Sequence, residues 1–121
     1  MAARYELVDL GFSTADAEYI SFEWRNSQLI LQFVDWKENP VSVVFQDVAG
    51  VQWNEESYAD QPEVRNDTCY EVHQSDWTSE YVRRQAFPRQ QCVRHLVLCF
   101  NAVGVLEVLC TGLTTPKLYG D

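Results

Sequence analysis

The chain has 121 residues, 46% hydrophobic and 22% charged, with a formal net charge of −9. That length suits a single domain, 1–121, with a real core, and the composition excludes a disordered polyelectrolyte. Residues 1–80 hold sixteen acids against four bases (−12), and residues 81–121 hold two against five (+3). The first part therefore lacks the clustered Lys and Arg that neutralise phosphates, and no nucleic-acid partner is expected.

The opening residues MAARYELVDLGFS contain no apolar signal core, which predicts a cytoplasmic protein. No apolar run approaches a membrane span, and Gly104 breaks the longest one. Residues 19–25 alternate Ile20, Phe22 and Trp24 against polar neighbours, and residues 28–34 alternate Leu29, Leu31 and Phe33. A two-residue Asn26-Ser27 turn would set Trp24 opposite Leu29, Phe22 opposite Leu31 and Ile20 opposite Phe33, leaving one face apolar. Residues 35–40 are loop chemistry and 41–46 a strand. The following Asp47-Val48-Ala49-Gly50 either turns a hairpin that pairs Phe45 with Trp53 or bends one long strand at Gly50.

Residues 54–67 carry five acids, one Arg and Pro62. This is about as long as ordinary connections become. Residues 68–73 return to strand character. Ser75 is placed to cap a short helix over 76–85, with Asp76 in its first turn and Arg83 and Arg84 in its last, and Trp77 and Tyr81 on its apolar side. Residues 87–94 are basic, and acids from the first part of the chain would neutralise them.

Residues 96–110, LVLCFNAVGVLEVLC, hold one charge, Glu107, in fifteen positions. Asn101 and Gly104 suggest a three-residue loop (102–104) ending in a left-handed glycine. That register pairs Phe100 with Leu106, Leu98 with Val108 and Leu96 with Cys110, and a slip of one residue would turn every side chain over. Both faces stay largely apolar, which predicts a central position. The fold expected is mainly β, with α+β as the neighbouring class. It would be a curved antiparallel sheet or partly open barrel of hairpins with one short helix.

Chemistry-bearing residues are sparse. The four cysteines, Cys69, Cys92, Cys99 and Cys110, form no C-x-x-C pair, and small core thiols are the ordinary reading. Cys69 with His73 and Cys92 with His95 supply four N/S ligands, the count for structural zinc. However, Cys69 and His73 would stand about 13 Å apart on a strand, so no metal or other cofactor is expected. G-x-S-x-G, H-E-x-x-H and a phosphate-cradling glycine loop are all missing. Glu107 could act as a buried acid, but a half-exposed strand residue paired with Arg or a hydroxyl is the plainer reading. No catalytic residue is assigned.

The candidate binding residues are Glu55, Glu56, Tyr58, Asp60, Glu63 and Asp67, an aromatic set among carboxylates on one loop. Such a loop suits a protein partner, a basic one in particular, although a merely solvated loop would look the same. Trp53 and Trp77 could extend the patch, but both fit the core.

The segment CYEVHQSDWTSEYVRRQ (69–85) and then HLVLCFNAVGVLEVLC (95–110) resembles a type seen in small uncharacterised bacterial proteins. In that type a strand and a short Trp-bearing helix lead to a His-started apolar strand, a turn and a Glu-Val strand. The resemblance implies no activity. In size and acidity the chain is also similar to immunity proteins that neutralise bacterial toxins. The function expected is non-catalytic protein binding of an immunity or inhibitory kind through the acidic loop. The alternatives are a small enzyme or ligand-binding β-barrel, and a zinc-stabilised or homo-oligomeric structural protein.

Overall fold

A computed structural model describes residues 4–55, 67–84, 93–101 and 103–115. Over these residues the order is β1 (Arg4–Leu7), β2 (Glu18–Arg25), β3 (Gln28–Val34), β4 (Pro40–Gln46), β5 (Gly50–Asn54), β6 (Cys69–His73), α1 (Asp76–Arg84), β7 (Arg94–Phe100), β8 (Gly104–Cys110) and β9 (Gly112–Thr114). The strands form two antiparallel sheets, β1-β6-β7-β8-β5 and β2-β3-β4-β9, which do not close into a barrel. No described helix is long and apolar enough to cross a membrane.

Alternation sorts the side chains of β7 and β8 between two environments. Leu96, Leu98, Phe100, Leu106, Val108 and Cys110 meet Leu29, Leu31, Phe33, Val43 and Phe45 from the other sheet in the main core. Val97, Cys99 and Val105 face outward, where Tyr70 and Val72 join them in a second cluster. On that outer side Trp77 of α1 sets its ring edge-on to His95, with centroids 5.1 Å apart. The central position expected of this hairpin is the one observed.

The hairpin's register differs from expectation by two residues. Val103 N–H donates to the Phe100 carbonyl at 2.9 Å, so the turn spans 100–103 and Phe100 pairs with Gly104. Leu98 then lies opposite Leu106, and Leu96 opposite Val108. A shift of two preserves the faces, so the hydrophobic pattern alone could not separate these registers. Gly104 is not left-handed; it is needed for space. A Cβ there would stand 2.6 Å from both the Trp53 ring and the Asn54 carbonyl oxygen.

The β2–β3 hairpin turns at Asn26, whose φ is 56°, and pairs Trp24 with Leu29 and Phe22 with Leu31 as expected. The expected Ile20–Phe33 pair falls instead in an irregularity between Glu18 and Ser21, where Tyr19 also has a φ of 56°. β4 and β5 are not a hairpin. Residues 47–49 carry the chain from one sheet to the other, and Thr111 does the same between β8 and β9. The crossings run side by side: Ala49 N–H donates to Leu109 O at 2.8 Å and Thr111 N–H to Gln46 O at 3.1 Å. Gly50 marks this bend because its missing Cβ leaves room for Trp77, 2.6 Å from where that atom would stand. The short strands β1 and β9 have no counterpart in the sequence reading.

Gly104→Ala should destabilise the fold by about 1–3 kcal/mol through overpacking beneath Trp53. Urea unfolding would measure this, and the paired Gly104→Ala/Trp53→Leu variant should recover part of the loss.

Candidate functional site

The structure places the ends of the predicted acidic loop. Glu55 is exposed just beyond β5, and Asp67 is partly buried two residues before β6. Glu56, Tyr58, Asp60 and Glu63 lie outside the described residues. Trp53 belongs to the core side, its ring 6.1 Å from Phe100 and 5.3 Å from Phe22.

The cysteine–histidine sets are not brought together. Cys69 is buried between the sheets, and burial pushes its thiol up to about 12. His73 leaves the other end of β6 and meets Glu6 at 2.8 Å. His95 is on the outer face of the sheet, whereas Cys69 lies in the inter-sheet core; Cys92 lies outside the described residues. Among the described residues, no group of three or more His, Cys, Asp or Glu could hold a metal ion. Cys99 and Cys110 occupy separate core clusters, and burial raises each thiol to about 11. At neutral pH these thiols are protonated and poor nucleophiles.

Glu107 corrects the sequence reading. It is only 8% exposed, and its partner is His95, itself 6% exposed, with Oε1 2.6 Å from Nε2. The other ring nitrogen, Nδ1, lies 2.7 Å from Ser75 Oγ, which is 3% exposed. Ser75 also caps α1 as its sequence position predicted: Thr78 N–H donates to Ser75 Oγ at 3.2 Å and Ser79 N–H to the Ser75 carbonyl at 3.0 Å. One proton arrangement satisfies every contact. Thr78 N–H donates to Ser75, Ser75 O–H donates to Nδ1, and Nε2–H donates to the Glu107 carboxylate.

By residue type this is a hydroxyl, a base and an acid, the components of a nucleophilic triad. By geometry it is a fastener. The serine oxygen is out of solvent and already accepts the capping N–H, and the edge of Trp77 covers the imidazole. The chain of bonds ties the start of α1 through β7 to β8. The signal that would have revealed it is register: with Val97 opposite Glu107 and His95 opposite Leu109, the two side chains are diagonal neighbours on one face. A two-residue error moves them apart.

A cavity of about 400 Å³ opens between residues 7–14 and 67–69, lined by Val8, Phe12, Thr14, Asp67 and Cys69 among others. Glu107 is not among its described lining residues.

The feature that sequence reasoning missed lies on β2. This strand is the edge of its sheet, and two rings on its apolar side are open: Trp24 is 55% exposed and Phe22 42%, while Tyr19, in the irregularity, is 80% exposed. Val51, on the edge strand β5, is exposed as well. Phe22 makes edge contact with Trp53, so the edges of the two sheets meet at these rings. Acids are close in the chain, with Glu18 and Glu23 on β2, Asp16 just before it and Glu55 just beyond β5. Over residues 4–55 there are nine acids and three bases.

Glu71 and Arg94 form a separate, two-pronged pair across β6 and β7, with contacts of 2.8 and 3.1 Å. It pairs one arginine of the basic stretch, Arg94, with an earlier acid; Arg89 lies outside the described residues. Hydrogen bonds from the Arg94 guanidinium hold the Glu71 carboxyl below its ordinary value of 4.5. A carboxyl lowered by folding stabilises the folded state above its unfolded pKa, and that contribution fades as pH falls through the folded value. Wild type and Glu71→Gln should therefore differ most in urea-unfolding stability near pH 7 and converge as pH falls from 4.5 through the lowered folded value.

Removing one member of the buried pair, as in Glu107→Ala, should cost about 1–3 kcal/mol, because the His95 Nε2–H is left buried without its acceptor. Ser75→Ala should cost about 1 kcal/mol as a lost cap. Both are read by urea unfolding. In wild type a fluorophosphonate should leave Ser75 unlabelled; stoichiometric labelling would mark it instead as a nucleophile.

No protein-family model, curated protein or solved structure matches the chain.

Proposed function

We propose that this chain is a non-catalytic protein-binding domain that takes a basic partner, with immunity-type or inhibitory action as the concrete form. One observation carries the reading: the open aromatic row on β2, in a stretch of chain (4–55) with nine acids against three bases. Large rings supply binding energy when a partner buries them, and surrounding charge steers encounter and selects against like-charged surfaces. The acidic loop expected from the sequence starts at Glu55, just beyond β5, whose Trp53 touches Phe22. β2 and the described start of that loop, Glu55, form the acidic flank of this reading. Size and acidity match the immunity class, and the buried, capped Ser75 speaks for binding over catalysis. A formal charge of −9 on each copy works against self-association through this flank.

The test is capture of partners from cells of the source organism with wild type and two variants. Phe22→Ala/Trp24→Ala should lose a basic partner that wild type retains. Replacing Glu55, Glu56, Asp60 and Glu63 by Gln should weaken capture most at low salt. An identical partner set for all three proteins would remove this flank from the function.

A further inference from the structure

The backbone of β2 gives the partner a shape. In a hairpin with a two-residue loop, the pair flanking the loop is hydrogen-bonded and the pairs alternate from there. The flanking pair here is Arg25–Gln28, so Glu23–Ile30 and Ser21–Gln32 are also hydrogen-bonded pairs, while Trp24–Leu29 and Phe22–Leu31 are not. Phe22 and Trp24 therefore direct their N–H and C=O groups away from β3. Among the described residues β2 pairs with β3 alone, which leaves those groups on an open edge. The residues with outward backbone groups are also those with uncovered rings.

Natural edges are usually blunted by lysine, proline or inward charge. Here residues 21–25 carry no proline or lysine, and the bulge lies at the other end, near Tyr19. On the opposite side of the strand, among the described residues, Glu23 is paired only with its neighbour Arg25, both more than half exposed, an arrangement easily exchanged for another cation.

We propose that an extended basic segment of a partner protein adds to β2 as a further strand. It would pair its backbone with Phe22 and Trp24, lay apolar side chains against those rings, and set a Lys or Arg opposite Glu23. The occupant is an alternating basic–apolar strand because directly opposed residues share a face. This rests on the protein-binding reading and adds the mode of recognition.

The probe is a ten-residue peptide alternating lysine and valine, compared with the same peptide N-methylated at its valines. N-methylation keeps charge and side chains but removes the N–H groups that would reach the Phe22 and Trp24 carbonyls. Binding is followed by tryptophan fluorescence and by exchange of the backbone amides. Strand addition predicts slowed exchange at Phe22 and Trp24 on saturation, and about tenfold or more weaker binding of the methylated peptide. Equal affinity of the two peptides, abolished by Phe22→Ala/Trp24→Ala, would overturn strand addition while leaving the aromatic row as the binding surface. Failure of both peptides to bind at millimolar concentration would overturn strand addition too, and the capture experiment would then decide the protein-binding reading on its own.

Discussion

The strands β7 and β8 are buried on both faces: every residue from His95 to Phe100 and from Gly104 to Cys110 is shielded from water. A ladder of that kind cannot be the surface of anything. It needs one layer on each side, and the rest of the chain supplies them. The four-stranded sheet covers the side of Leu98 and Leu106, and α1 contributes to the side of His95 and Glu107. The cover is uneven. The inter-sheet core is aliphatic and aromatic apart from the thiols of Cys69 and Cys110, whereas the helix side contains an acid and an imidazole.

Those two polar groups explain why the helix sits where it does. A carboxyl in such surroundings requires a partner, and a buried imidazole has two nitrogens to satisfy. Glu107 meets one nitrogen and Ser75 the other, and the same serine oxygen takes up an otherwise orphaned amide at the start of α1. Three requirements are met by one line of bonds, with Gly50 leaving room for the Trp77 ring beside it. Burying ionisable groups is rarely the most stabilising choice; here the line of bonds joins the start of α1 to β7 and β8.

Much of this architecture is legible in the residues. Alternation identifies β2, β3, β4, β6, β7 and β8; Ser75 marks the helix start, and Asn26 the first hairpin. What is not legible has physical causes. Alternation says which side chains share a face, not whether that face is covered, so the exposure of Phe22 and Trp24 could not be read. Turn chemistry around Asn101 and Gly104 admits two registers with the same faces, and choosing between them decides whether His95 and Glu107 meet. The passages from β4 to β5 and from β8 to β9 look like a turn and an ordinary strand end, because sequence does not reveal which sheet a strand will join. The loop residues Glu56, Tyr58, Asp60 and Glu63 stand on composition alone.

The side-by-side crossings near Gln46 and Thr111 carry a consequence for how the molecule yields. Because the same two lengths of chain serve both sheets, neither layer can peel away without breaking hydrogen bonds in the other. Opening at that corner therefore breaks bonds of both sheets together. Strand β2 lies two strands from β4 and holds one ladder of bonds instead of two. It is the compliant margin of an otherwise stitched body, able to adjust its twist without disturbing the buried ladder of β7 and β8.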